Sequence, residues 1–67
     1  MITININGSA HPFPDSTSVA ALVEKLGLTG KRIALERNGE IVPRSSFATQ
    51  LLADGDRLEV VVAVGGG

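Results

Sequence analysis

The chain closes on Val60-Val61-Val62-Ala63-Val64-Gly65-Gly66-Gly67, an apolar run that passes straight into three glycines with no polar linker between them. This junction offers more chemistry than any other part of the sequence. Glycine has no Cβ, so a glycine tail can lie in a narrow slot and take backbone angles closed to other residues. Such a tail suits delivery of the Gly67 carboxylate into the active site of another protein. A carboxylate is a poor electrophile. Adenylation by ATP turns it into an acyl-adenylate, which a sulfur nucleophile can attack to leave a thiocarboxylate. Every catalytic group for those steps belongs to partners. Taken alone, the glycines would favour a frayed end or a cloning remnant. Their direct continuity with an apolar strand favours the functional reading.

The remaining candidates are weaker. His11 is the one histidine, set among prolines, and nothing in the sequence places a nucleophile, a base and an orienting group together. A solvent-facing strand position accounts for it. Asp54 and Asp56 flank Gly55, but two carboxylates without a further ligand set point to a tight turn rather than a calcium loop. Arg44 could bind an anion from its loop, but a single exposed arginine is more often only solvated. The expectation is no catalytic and no metal-binding residues.

Composition narrows the classes further. Six Lys and Arg stand against seven Asp and Glu, and the cations are interleaved with acids. That is no phosphate-tracking stripe, so nucleic acid is not expected as a partner. No stretch is long and apolar enough to span a bilayer as a helix, and Met1-Ile2-Thr3-Ile4-Asn5 lacks the features of a signal peptide. There is no cysteine to build a disulfide framework or a thiolate site. A cytoplasmic protein without bound cofactor is the expectation. With 67 residues and only Phe13 and Phe47 aromatic, the core must be small and aliphatic.

The elements that position the tail follow from periodicity and turn chemistry. Ile2, Ile4 and Ile6 alternate with polar residues, which predicts a strand with one buried face. Asn7-Gly8 then predicts a type I′ hairpin turn into a strand over residues 9–13, placed at a sheet edge by Pro12. Ser18 is the expected N-cap of a helix whose apolar face is Val19, Leu22, Val23 and Leu26. Gly27 is its left-handed C′ residue, with Leu28 in hydrophobic contact beyond it. Ile33 and Leu35 mark a third strand, Asn38-Gly39 a second hairpin, and Glu40-Ile41-Val42 a short fourth strand ended by Pro43. Residues 45–52 are expected as a loop with a turn of helix, carrying Phe47, Leu51 and Leu52 inward. Residues 57–64 form the longest strand candidate.

This order predicts an α+β fold with a mixed sheet of four to five strands and one main helix packed on one face. The helix belongs to the crossover that sets the last strand parallel beside the first, which is the β-grasp (ubiquitin-like) arrangement. Residues 1–64 form this domain and 65–67 a flexible tail. In the last strand, the face carrying Arg57 and Glu59 must be wet, because buried unpaired charges are too costly. Val61 and Ala63 then become apolar residues on a solvent face beside the tail, and Ala34 joins them by its alternation with Glu36. Three glycines span only roughly 10–11 Å, so a partner that takes the carboxylate must press against the domain. Val61, Ala63 and Ala34 are the expected docking surface.

Several of these segments resemble the ThiS family of thiamine-biosynthesis sulfur carriers, over essentially the whole chain. They are the opening strand into Asn7-Gly8, the run from Ile33 to Ser45 that includes Val42-Pro43-Arg44-Ser45, the aromatic Phe47, the Asp54-Gly55-Asp56 turn, and the terminal Gly66-Gly67. Family members often carry tryptophan where Phe47 stands, and the phenylalanine keeps an aromatic anchor. The resemblance implies an ATP-dependent activating enzyme that adenylates Gly67, a cysteine desulfurase route that supplies sulfur, and thiazole synthase as the acceptor. It assigns the functional pair to Gly66 and Gly67 and leaves Gly65 only flexibility. Two alternatives stay open. One is a sulfur carrier of the molybdopterin synthase type, whose members are usually longer. The other is a β-grasp protein-interaction module with an idle tail.

Overall fold

The computed structural model describes residues 1–63. Both Asn-Gly pairs turn the chain as their chemistry requires, with φ of 50° and 88° at Asn7 and Gly8 and of 51° and 88° at Asn38 and Gly39. Positive φ at both central positions matches the right-handed twist of the flanking strands. The first turn joins β1 (Ile2–Ile6) to β2 (Ser9–Phe13), and the second joins β3 (Ile33–Arg37) to β4 (Glu40–Ile41). The last strand, β5 (Arg57–Val62), lies parallel to β1 and antiparallel to β3. The sheet order is β2-β1-β5-β3-β4, the mixed five-stranded sheet of a β-grasp fold, with β2 at an edge.

The helix α1 (Val19–Lys25) is closed at both ends by local chemistry. The Ser18 hydroxyl accepts from the Ala21 N–H at 3.1 Å. The N–H groups of Val19 and Ala20, which have no partner inside the helix, donate to the carbonyls of Gln50 and Phe47. At the other end Gly27 has φ 74° and donates to the Glu24 carbonyl, while Leu28 donates to that of Val23. That pair of bonds is a Schellman motif. Seven residues cannot persist as an isolated helix, so packing must hold this one. Val19, Leu22 and Val23 join Ile4, Ile6, Leu35, Leu58 and Val60 in one aliphatic core, with Phe13, Val42 and Leu52 completing it.

The structure departs from the sequence expectations in particular places. Leu51 is not inward: it is 54% exposed, while its neighbour Leu52 is buried. Leu51 forms an extended bridge with Ser18, and in extended backbone adjacent side chains point to opposite faces, so only one of the two can enter the core. β4 stops at Ile41, although the Val42 N–H still donates to the Leu35 carbonyl at 2.9 Å. Among the described residues β5 ends at Val62. His11 is half-buried rather than solvent-facing, because its direct cross-strand partner is the fully buried Ile4, and directly paired residues share a face.

Candidate functional site

β5 divides its side chains between two environments. Leu58 and Val60 are buried against the helix layer, whereas Arg57, Glu59 and Val61 point to the uncovered face. Val61 is 63% exposed there and is paired directly with Ala34, also exposed. The expected side of both residues is therefore the observed one. Ala63 is exposed as well and lies one residue past β5, with its N–H donating to the Arg32 carbonyl at 2.9 Å. Val62 faces the core side but sits at the strand end and remains 38% exposed. Gly65, Gly66 and Gly67 lie outside the described residues.

A further apolar residue belongs to this face. Ile41 is 66% exposed and pairs directly with Glu36, which shares the outward side of β3 with Ala34. Ile41 therefore lies diagonal to Ala34, so Val61, Ala34 and Ile41 run across three adjacent strands. The signal for Ile41 was its alternation with Val42, which is buried. Toward the other end of β5 the face is charged. Glu36 and Glu59 are directly opposed, and Arg57 lies beside them. Val61 and Ala34 thus form an apolar row beside the charged row of Glu59 and Glu36, whose β4 member is Ile41.

β5 is held in register by side chains as well as by strand pairing. β1 pairs with it only at Arg57 and Leu58. Beyond that point the Asn7 side chain takes over, with Oδ1 accepting from the Val60 N–H and Nδ2 donating to the Val60 carbonyl. At the start of the strand Asn38 Oδ1 accepts from the Arg57 N–H at 2.9 Å. Asn38 Nδ2 donates to Asp56 Oδ1, and Arg37 Nε donates to Asp56 Oδ2 at 2.8 Å. The Ala53 N–H donates to the same carboxylate, so Asp56 is a buried anchor rather than a solvated turn residue. Burial alone would raise its pKa. The hydrogen bonds from Ala53, Asn38 and Arg37, with the Arg37 charge, outweigh that and hold it below the ordinary carboxylate value. Asp54 accepts from the Thr3 N–H at 2.7 Å. Both carboxylates of the turn therefore fix backbone. Among the described residues no three metal-ligating side chains come together, and no helix is long and apolar enough to cross a membrane.

Arg44 donates from Nη2 to the Lys31 carbonyl at 3.0 Å, which draws the loop after β4 toward the segment that leads into β3. Phe47 is half-buried against the core.

Comparison with known proteins agrees with this architecture. The model of the ThiS family matches residues 3–67, a span that includes the terminal glycines. A thiazole synthase of Paramagnetospirillum magneticum is 48% identical over 62 residues, which are 92% of this chain and 19% of that protein. A second thiazole synthase, from Magnetococcus marinus, is 34% identical over 64 residues. The chain therefore spans about a fifth of the length of these two relatives. The uncharacterized protein ycf40 of Pyropia yezoensis is 36% identical over 98% of this chain and 93% of its own length. Among solved structures, the thiamine biosynthesis protein ThiS of Geobacter metallireducens superposes with a TM-score of 0.83 at 28% identity, covering 98% of this chain and all of that one.

Proposed function

The chain belongs to the ThiS family, and from that premise we propose that it carries sulfur for thiamine biosynthesis as a thiocarboxylate on Gly67. The supporting observation is a family match that runs through the whole domain into Gly66 and Gly67, joined to a β5 that leads the chain off the end of the sheet. In this reading an activating enzyme uses ATP to adenylate the Gly67 carboxylate and releases pyrophosphate. A sulfur nucleophile, supplied through a cysteine desulfurase, attacks the acyl carbon. A C–S bond forms as the C–O bond to AMP breaks; with a persulfide as nucleophile the product is an acyl disulfide, and a thiol reductant then cleaves its S–S bond to leave the thiocarboxylate. Thiazole synthase then takes the sulfur into the thiazole of thiamine. The relatives named thiazole synthase support that choice of acceptor, because they contain a segment similar to this chain.

The carrier contributes position rather than catalysis. Gly66 and Gly67 enter the partner's slot, and Gly65 adds freedom before them. Val61, Ala34 and Ala63 form the docking surface, with Ile41 extending it across the sheet. Scattered apolar residues on a surface need no function, but here Val61 and Ala34 are directly paired near the end of β5. Intact mass after incubation with the activating enzyme, ATP and a sulfur source tests the reading. The mass should rise by the difference between one sulfur and one oxygen, located on the last peptide. A modification confined to a side chain would overturn it.

A further inference from the structure

The end of the domain from which the chain departs also carries a groove and a cluster of cations. Val62 pairs with Ile33, and the Ala63 N–H donates to the Arg32 carbonyl, so the chain passes the start of β3 as it leaves. Arg44 is bonded to the same segment through the Lys31 carbonyl. Lys31, Arg32 and Arg44 are half of the chain's six basic residues, all three are exposed, and none makes a salt bridge among the described residues. Lys31 and Arg44 border a half-open groove of about 340 Å³ between α1 and the two loops, with an apolar lining that includes Val23, Leu28, Ile33 and Phe47. Among the described residues Glu24 is the one carboxylate on its border.

We propose that this groove and its cationic rim are a second docking surface, on the helix side, for an acidic element of the activating enzyme that carries an apolar anchor side chain. The proposal rests on the carrier function given above. Reach supports it first. The four residues beyond Ala63 span at most roughly 13–14 Å, so a partner that receives the carboxylate must contact the end of the domain where Arg32 and Lys31 lie. Charge supports it next. The chain has a net charge of -1, so the positive cluster is a local feature and not an overall excess. None of its cations forms a salt bridge among the described residues. A basic partner surface would be repelled there and an acidic one attracted. The groove supplies the remainder, because Leu28 and Phe47 are only half-covered, and an inserted apolar side chain would complete their burial. An apolar centre inside a charged rim is the usual build of a protein interface.

The test is a binding titration of the full chain against the activating enzyme at low and high salt. Lys31→Glu reverses a charge on the border of the groove whose side chain makes no hydrogen bond among those described, and Ala48→Trp fills the groove from an exposed position on its border. The reversal should weaken binding about fivefold at low salt, the size expected for one exposed charge pair lost and opposed, and the loss should shrink at high salt. Ala48→Trp should weaken binding at both salt concentrations. Thermal melts should show both variants folded as the parent. If both bind like the parent while Val61→Asp does not, the carrier reading stands and this second surface is overturned. If the parent neither binds the enzyme nor gains sulfur, the carrier reading fails and this proposal fails with it.

Discussion

Asn7 pairs with the backbone of Val60 through its side chain alone, Oδ1 accepting from the Val60 N–H at 2.8 Å and Nδ2 donating to the Val60 carbonyl at 3.0 Å. The Asn7 N–H donates to the Leu58 carbonyl at 3.0 Å, so the main chain stays bonded to β5 one residue past the end of β1. The main chain then turns away into Gly8, and the amide side chain supplies the next rung. One residue thus serves the hairpin with its backbone and β5 with both its backbone and its side chain. It keeps β5 paired on that flank up to the residue next to Val61.

This dual role gives a test at one position. If Asn7 served only the turn, Asn7→Gly would be nearly neutral, because glycine takes positive φ without strain. The structure predicts instead a loss of about 1–3 kcal/mol, since the part-buried N–H and carbonyl of Val60 lose their partner. Urea denaturation of parent and variant measures the difference. An unchanged midpoint would show that the Val60 bonds contribute nothing to stability.

Asp56 predicts how stability responds to acid. Its folded-state pKa lies below the ordinary value, so the unfolded chain takes up a proton first as pH falls. The stabilisation is fully present above the unfolded pKa, about 3.9 for aspartate, and is lost as pH falls below that through the lower folded value. Asp56→Asn should cost about 1–3 kcal/mol at neutral pH, because Arg37 and the Ala53 N–H lose a charged acceptor. It should also flatten the dependence below pH 4. Melts across an acid series, parent against variant, check both statements. Parallel curves would remove Asp56 from the account.

The sequence carried most of the fold because the governing signals are local. The alternation of Ile2, Ile4 and Ile6, the two Asn-Gly turns, and Ser18 and Gly27 at the helix ends each depend on a few adjacent residues. The opposite facing of Val60 and Val61 was legible for the same reason, since Arg57 and Glu59 fix the wet side of β5. What stayed hidden depends on partners distant in the chain. Leu51 points outward because it bridges to Ser18. His11 is half-covered because Ile4 lies opposite it. Asp56 is buried because Arg37 and Asn38 converge on it from another strand and its turn. Asn7 and Asn38 were legible as turn residues and not as ligands of β5, for no local pattern encodes which backbone a side chain will meet.

Removing Gly66 and Gly67 should separate function from folding. Glycine has no side chain to bury, so the shortened chain should melt within a degree or so of the parent. Adenylation should be abolished, because the carboxylate would no longer reach the partner's site. Gly66→Ala is the finer probe, since a single Cβ narrows the permitted backbone angles and obstructs a tight slot. It should leave the melt unchanged and slow adenylation. A shortened chain that unfolds, or that still forms an adenylate, would defeat the assignment of the tail.

Val60 and Val61 provide the paired test of the uncovered sheet face. They are adjacent in β5, similar in chemistry, and opposite in environment, 9% and 63% exposed respectively. Val60→Asp places a carboxylate among the apolar side chains of Leu58, Leu35 and the helix. Leaving a charge there costs more than a domain of this size can offset, so the variant should be unfolded by thermal melt. Val61→Asp places the same group in water beside Ala34, so the melt should stay close to the parent. Binding to the activating enzyme should nevertheless weaken, because a carboxylate on the docking face must be desolvated when the partner seats. Ile41→Asp, two strands away on the same face, should weaken it less, being further from the exit of the chain. If Val61→Asp folds and binds as the parent does, the partner seats elsewhere, and the groove bordered by Lys31 and Arg44 becomes the remaining surface at that end of the domain.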